Sequence, residues 1–421
     1  MMNTTPERFY GWHIVTASFF ILFVTVGVAI YSPPVFLVPL QEHFGWSRAA
    51  IATGGAIAAL VSGGFSPFVG VWIDRYGARR VMTVGAILMG SAFALLGRLE
   101  SLWQLYASYA LAGAGVTCVA FIPNQTLISN WFVRRRGMAM GIATAGIGFG
   151  GLTIAPLSAA LIDGVGWRMS FVSLSLLIFV IVVTLTLTVV RDRPSDLGLL
   201  PDGDPPEPLS LSQLSAPPPA AKPPGISLGE SLKTSAFWII SIANLLFVFG
   251  GLSIIGHLVA FLDDAGFDNR FAAATLGGAL GVSVGGRLLF GALADRLPPR
   301  QVMAMALILQ AVATLFLLNI ATRGAVPAFV VTFGLGLGGV AVLVPLLVGD
   351  NFGLRSFGKI LGVIMISATI GVAVGPVLTG RIFDVTGSYN GAFALHFGAF
   401  SVAAAMVLFL RKPPLGEPSE N

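Results

Sequence analysis

One arginine carries more chemical information than any other residue in this chain of 421 residues. Arg287 stands in the apolar stretch VSVGGRLLFGALADR, eight residues before Asp295. A guanidinium is effectively never deprotonated, and its planar fork matches a carboxylate through two parallel hydrogen bonds. With no acid beside it in that stretch, such a group calls for an external anion. Three other polar side chains in apolar surroundings could act with it: Asn124, His257 and Tyr31. The amide of Asn124 suits a hydroxyl or carboxylate, and equally a hydrogen bond between helices. His257 is a candidate proton site, because histidine's unperturbed pKa of about 6.5 lies where an acidic exterior can charge it. Tyr31 reads equally as packing or cavity wall, and His396 reads as structural. No catalytic triad, metal-ligand cluster or nucleotide-binding loop occurs, so the pattern implies no cofactor, no bound metal and no enzymatic activity. The single cysteine, Cys118, allows neither a disulfide framework nor a thiolate metal site and reads as a small buried apolar residue.

These residues must be positioned by elements that live in lipid. The chain is 55% hydrophobic and 10% charged with a mean hydropathy of +0.87, far too little charge to cover a soluble domain. Apolar stretches long enough to cross a bilayer core of about 30 Å recur twelve times. They run approximately 13–40, 49–73, 81–98, 103–129, 138–162, 169–190, 235–262, 271–294, 302–320, 326–349, 360–382 and 391–410. The first is too long for a signal-peptide core and is read as a retained helix. None of the 19 Asp and Glu falls in the middle of a span, and of the 24 Lys and Arg only Arg287 does. Eight residues of helix place it about 12 Å from the edge marked by Asp295, close to the midplane. A charge at that depth costs at least about 2.5 kcal/mol and usually faces a cavity. Asn124, seven residues or about 10 Å from Trp131, lies level with it; His257, six residues or about 9 Å from Asp263, lies in the outer half of its span. Tyr31 falls near the midplane, and Leu152 and Phe36 are expected to wall the cavity so that only a short organic tail fits.

An even number of spans puts both termini on one side. Seventeen Lys and Arg gather on that side, among them Arg8, Lys222 and the run Arg134 to Arg136, against six on the other: Arg48, Arg98, Arg168, Arg270, Arg323 and Arg381. The excess marks the terminal side as cytoplasmic in a multi-pass cell-membrane protein. The net charge of +5 then reflects orientation, and no nucleic-acid partner is implied.

The chain also repeats. Gly70, Asp74, Arg75 and Arg79 recur as Gly291, Asp295, Arg296 and Arg300, and Asn130, Arg134, Gly137 and Gly141 as Asn351, Arg355, Gly358 and Gly362, always 221 residues later. Arg287 maps onto Ser66, so it is not part of the repeated scaffold. A Pro-rich stretch with Pro205, Pro206, Pro208, Pro217, Pro218, Pro219, Pro223 and Pro224 reads as a cytoplasmic linker. The expected organisation is an N-terminal six-helix bundle at 1–193, the linker at 194–234 and a C-terminal six-helix bundle at 235–421.

The run GVWIDRYGARR from Gly70 to Arg80, with its degenerate copy GALADRLPPR, resembles the loop signature of the major facilitator superfamily. Asp74, Arg75, Arg79, Asp295, Arg296 and Arg300 are accordingly expected to form ion pairs that latch the two halves and break on gating. More narrowly, NWFVRRRGMAMGIATAGIGFGG from Asn130, the segment Phe237 to Phe267, and GGRLLFGALADR from Gly285 resemble the monocarboxylate transporter family and its oxalate/formate antiporter relatives. That resemblance implies that the eighth-helix arginine binds the substrate carboxylate. Many members carry an Asp four residues before it, where this chain has Ser283, and the family's first-helix lysine is absent from Tyr31 to Pro34. Oxalate carriers add a cation on the eleventh helix, whereas this eleventh span has none before Arg381. The expectation is therefore an all-α, twelve-helix monomer that carries a short monocarboxylate such as lactate with a proton by alternating access. Arg287 clamps the carboxylate, Asn124, Tyr31 and Leu152 line the site, and His257 serves the proton. An oxalate/formate-type exchanger and a non-transporting receptor are the alternatives.

Overall fold

The computed structural model describes residues 9–204, 225–267, 269–319 and 324–413, with only the backbone described at 48, 49, 269, 270 and 273. The linker prolines, Arg8, Lys222 and Arg323 lie outside the described residues, as do the side chains of Arg48 and Arg270.

Backbone N–H and C=O groups have no water to bond in lipid, so an apolar chain of this length must satisfy them within helices. Among the described residues there is no β-strand, only an isolated bridge between Gly225 and Gly353. Eleven helices among the described residues are long and apolar enough to span a membrane. One of them, Arg136–Thr188, has 53 residues, about 80 Å if straight. It reverses at Gly166, whose backbone (φ 78°, ψ 161°) only glycine adopts without strain. That segment therefore crosses twice, and the total is twelve, as the hydropathy pattern predicts.

The spans are α1 (Gly11–Phe44), α2 (Arg48–Tyr76), α3 (Ala78–Leu96), α4 (Leu102–Trp131), α5 (136–165), α6 (167–188), α7 (Ser235–Asp264), α8 (Asn269–Ala294), α9 (Pro299–Leu318), α10 (Ala325–Phe352), α11 (Phe357–Thr386) and α12 (Asn390–Leu408). They form two six-helix halves, α1–α6 and α7–α12. Two long helix pairs join the halves, α5 with α8 and α2 with α11.

Lipid tails give no hydrophobic drive between helices, so close approach depends on small residues. A Cβ on Gly137 would collide with the backbone of Gly291, and one on Gly70 with the backbone of Gly358. These residues are repeat counterparts, and both crossings sit at the end of the molecule that carries the linker. Farther along α8, Gly281 and Gly277 have open space where a side chain would stand, and Leu152 on α5 is 55% exposed. The halves are thus pressed together at the linker side and part toward the other.

Candidate functional site

α1 does not run as a regular helix to its end. Pro33 and Pro34 remove two N–H donors, and the chain answers with a π turn at Gly27–Tyr31 followed by a 3-10 turn at Pro33–Phe36. Ser32 Oγ donates to the Val28 carbonyl at 2.6 Å, inside the unwound stretch. Tyr31 therefore projects from a π turn, a geometry that recurs at functional sites.

The position of that ring follows from α5. Gly27 and Gly150 cross closely, which lays the Tyr31 ring against Gly151: a Cβ there would be 3.1 Å from it. One turn before, a Cβ on Gly148 would be 3.1 Å from Arg287 Nη1. Two glycines on one turn of α5 thus receive Arg287 from α8 and Tyr31 from α1. Leu152 follows Gly148 by one turn, on the face toward the parting α8. Arg287 is only 8% exposed, and its Nε and Nη1 are buried without hydrogen-bond partners. An unpaired buried guanidinium is costly unless a ligand anion completes it.

The remaining sequence candidates sit elsewhere. Pro123 has no N–H for the Val119 carbonyl, and α4 is broken at Ala120 (ψ −105°). Asn124 Nδ2 donates to the carbonyls of Val119 and Ala120, at 2.7 and 2.6 Å, leaving only its buried Oδ1 without a partner. Its amide is thus occupied within its own helix. His257 turns toward α11 and α12, with Nε2 3.0 Å from the Pro376 carbonyl and Nδ1 3.4 Å from the Tyr389 hydroxyl. His396 is fully buried, with Nε2 3.0 Å from Thr379 Oγ1. Phe36 does not wall the cavity; it is fully buried and stacks on Phe171 of α6 at 3.8 Å. Ser283 is buried, with Oγ donating to the Leu280 carbonyl at 2.6 Å.

The expected Asp–Arg latch takes another form. Asp295 accepts the N–H groups of Gly137 and Met138, at 2.6 and 2.8 Å, at the start of α5 in the opposite half. Asp74 lies against the start of α11 at the corresponding place, where a Cβ on Gly358 would be 3.2 Å from its Oδ1, with Lys359 Nζ 3.9 Å from its Oδ2 and that Oδ2 without a hydrogen-bond partner. Each carboxylate seats on a positive helix N-terminus across the seam, where four N–H groups otherwise lack partners. Burial pushes the Asp295 carboxyl upward despite those two bonds. The arginines fasten each half to itself. Arg79 donates to the carbonyls of Thr186 (3.3 Å) and Leu187, and Arg300 to that of Leu410 (2.9 Å). Arg75 lies over the Tyr76 ring, and Arg296 is exposed. Sequence reasoning missed Asp192, which accepts Arg79 N–H at 2.8 Å and caps α3. It also missed the cross-capping, for which the repeat pairing of Asp74 with Asp295 and Gly137 with Gly358 was the available signal.

The sequence model of the Major Facilitator Superfamily matches residues 17–357 and 279–421. The chain belongs to that superfamily. Human "Monocarboxylate transporter 11" is 30% identical over 412 residues, 93% of this chain and 80% of that protein. Bovine "Monocarboxylate transporter 13" is 29% identical, covering 96% and 89%. The "Oxalate:formate antiporter" of Oxalobacter formigenes is 25% identical, covering 97% and 93%. This major facilitator chain is thus a member of the monocarboxylate transporter family, a multi-pass membrane transporter and not an enzyme. Its fold matches a crystal structure of a Major Facilitator Superfamily transporter, FucP, described as being in the outward conformation. The TM-score is 0.71 at 15% identity, covering 96% of this chain and 99% of that one.

Proposed function

We infer that this transporter carries short monocarboxylates such as lactate, with a proton, by alternating access. The observation that carries the reading is Arg287, buried near midplane with two unpartnered guanidinium nitrogens and Tyr31 beside it. A carboxylate would accept its fork, with the Tyr31 hydroxyl as a second donor, and Leu152 would bound the tail. Asn124 would offer only its free Oδ1, to a substrate hydroxyl. The positive-inside excess supports cytoplasmic termini, so closure at the linker end and parting at the other make this the outward-facing state. His257, on the outer part of α7, is the candidate for receiving the proton first. The protein works as a monomer, its 1–193 and 235–421 bundles rocking about the site.

A second reading, an oxalate/formate-type exchanger, is favoured by the Oxalobacter formigenes relative. The charge count opposes it: the membrane part of α11 has no cation, and Lys359 at its start faces Asp74. A single positive site suits a monoanion. A receptor that binds without flux is the third outcome. Uptake into proteoliposomes over a panel of C1 to C4 acids tests all three. Accumulation driven by a pH gradient supports symport, pH-independent counterflow supports exchange, and binding without flux supports a receptor.

A further inference from the structure

A crevice of about 1230 Å³ lies at the linker-side end, away from the Arg287 site. It spans the seam between the halves. The first half contributes Arg75, Arg79, Arg80 and Arg193, and the second contributes Arg355 and Lys359. Three carboxylates also line it: Asp74, Asp192 and Asp196. Two of those acids are already committed to backbone donors. Asp192 caps α3, Asp196 accepts Arg193 N–H at 3.1 Å in its own turn, and Asp74 faces the start of α11 with Oδ2 unpartnered. Glu230, which acts on Arg355 from outside the lining, is held by Ser227 N–H and Oγ at 2.6 and 2.7 Å. Lys359 alone comes within 4 Å of a carboxylate, at 3.9 Å from Asp74. Six cations thus converge on one crevice that holds only three acids.

The positive-inside rule accounts for cations on this face but not for their convergence. The repeat supplies the control. The corresponding crevice of the second half, around Pro298, Pro299 and Arg300, is only about 470 Å³. There Lys412 pairs with Asp350 at 2.6 Å, and Arg300 is tied to the Leu410 carbonyl. The same scaffold on the same face has therefore a smaller crevice with two cations and one carboxylate against six and three, so the repeat alone does not set the size and charge of the first.

We propose that the seam crevice binds a ligand through its phosphate groups, and that occupancy holds the linker-side gate shut. Arginine forks match phosphate oxygens in pairs, and several arginines around one cavity suit a polyanion better than a single carboxylate. Because Arg355 and Lys359 belong to one half and the four other cations to the other, a bound polyanion bridges the halves only while the gate is closed. A ligand stabilises the state that it binds better. The phosphate comes from a soluble phosphorylated molecule or from an anionic lipid headgroup, and the proposal does not depend on which acid is carried.

The test uses the full chain in phosphatidylcholine nanodiscs with inorganic pyrophosphate as probe. Calorimetry is expected to give salt-sensitive binding, weakened about tenfold or more in Arg80→Gln/Arg355→Gln, which removes one fork from each side of the seam. A Leu152→Cys reporter on a Cys118→Ser background is expected to react faster with a bulky maleimide when pyrophosphate is present. If pyrophosphate has no effect but phosphatidic acid in the nanodisc speeds the labelling, and the double variant abolishes that, the phosphate is a lipid's and the site stands. If neither probe binds or changes labelling, or if both effects persist undiminished in the double variant, the proposal is overturned. Should that variant fail to fold, Arg193→Gln, which leaves the helix caps intact, decides on the same readouts.

Discussion

Nη1 of Arg287 lies over Gly148, 3.1 Å from where a Cβ would stand, so the cation of one half reaches into the other through the absence of a side chain. Two consequences follow for transport. Arg287→Lys keeps the charge but replaces a planar fork by a point ammonium. A charge-assisted hydrogen bond contributes about 1.5–3 kcal/mol, so losing one lowers carboxylate affinity about 10- to 100-fold. Uptake at matched protein levels checks this, and near wild-type transport in the Lys variant rules out the clamp.

Gly148→Leu should have the same effect from the other side of the contact. The added side chain meets Val284 as well as Arg287, so it either displaces the guanidinium or holds α5 off α8. The expectation is a folded protein, normal in melting temperature, with uptake reduced about as far as in Arg287→Lys. Full activity would mean that Arg287 can work from another rotamer, away from α5.

At the linker-side gate, Asp295→Ala removes two N–H···carboxylate bonds to α5. At about 1.5–3 kcal/mol for a bond to a charged group, the closed end should lose enough stability to shift the population of states about tenfold or more. The readout is labelling at Leu152→Cys, which should slow as the opposite end closes. Asp74→Ala is expected to act in the same direction, since the repeat gives it the same task on α11. Opposite or absent shifts in both variants would show that the caps follow gating without biasing it.

How much of this was legible beforehand depends on the kind of signal. The twelve crossings follow from hydropathy, because lipid leaves the backbone no alternative to helix, and even the Gly166 reversal falls between two predicted spans. Arg287 was legible because one charge among so many apolar residues is costly at any register. Residues whose roles are set by backbone geometry were not. The Asn124 amide is turned inward by the break that Ala120 and Pro123 make in α4, and Phe36 is carried to Phe171 by the π and 3-10 turns of α1. Asp74 and Asp295 stood out because a topology signal needs Lys and Arg but not Asp. The partners of Asp295 are backbone N–H groups in the other half, however, and a sequence shows side chains far more readily than helix ends.

His257 gives the last prediction. Nε2 sits 3.0 Å from the Pro376 carbonyl, which can only accept, so that nitrogen must donate. Nδ1 is then free either to accept from the Tyr389 hydroxyl, 3.4 Å away, or to bind a proton and turn that hydroxyl around. The surrounding titratable groups are Tyr389, His396, and the carboxylates of Asp264 and Asp384 that act on Tyr389. If His257 takes the transported proton, His257→Ala should flatten the dependence of uptake on external pH, although it also removes the bridge from α7 to α11. His257→Gln separates the two roles, because its amide can still donate to the Pro376 carbonyl but does not titrate. The Gln variant is expected to keep substrate binding and wild-type thermal stability while losing accumulation driven by a pH gradient. If instead it retains full proton-driven accumulation, His257 only ties α7 to α11, and the proton travels on the substrate itself.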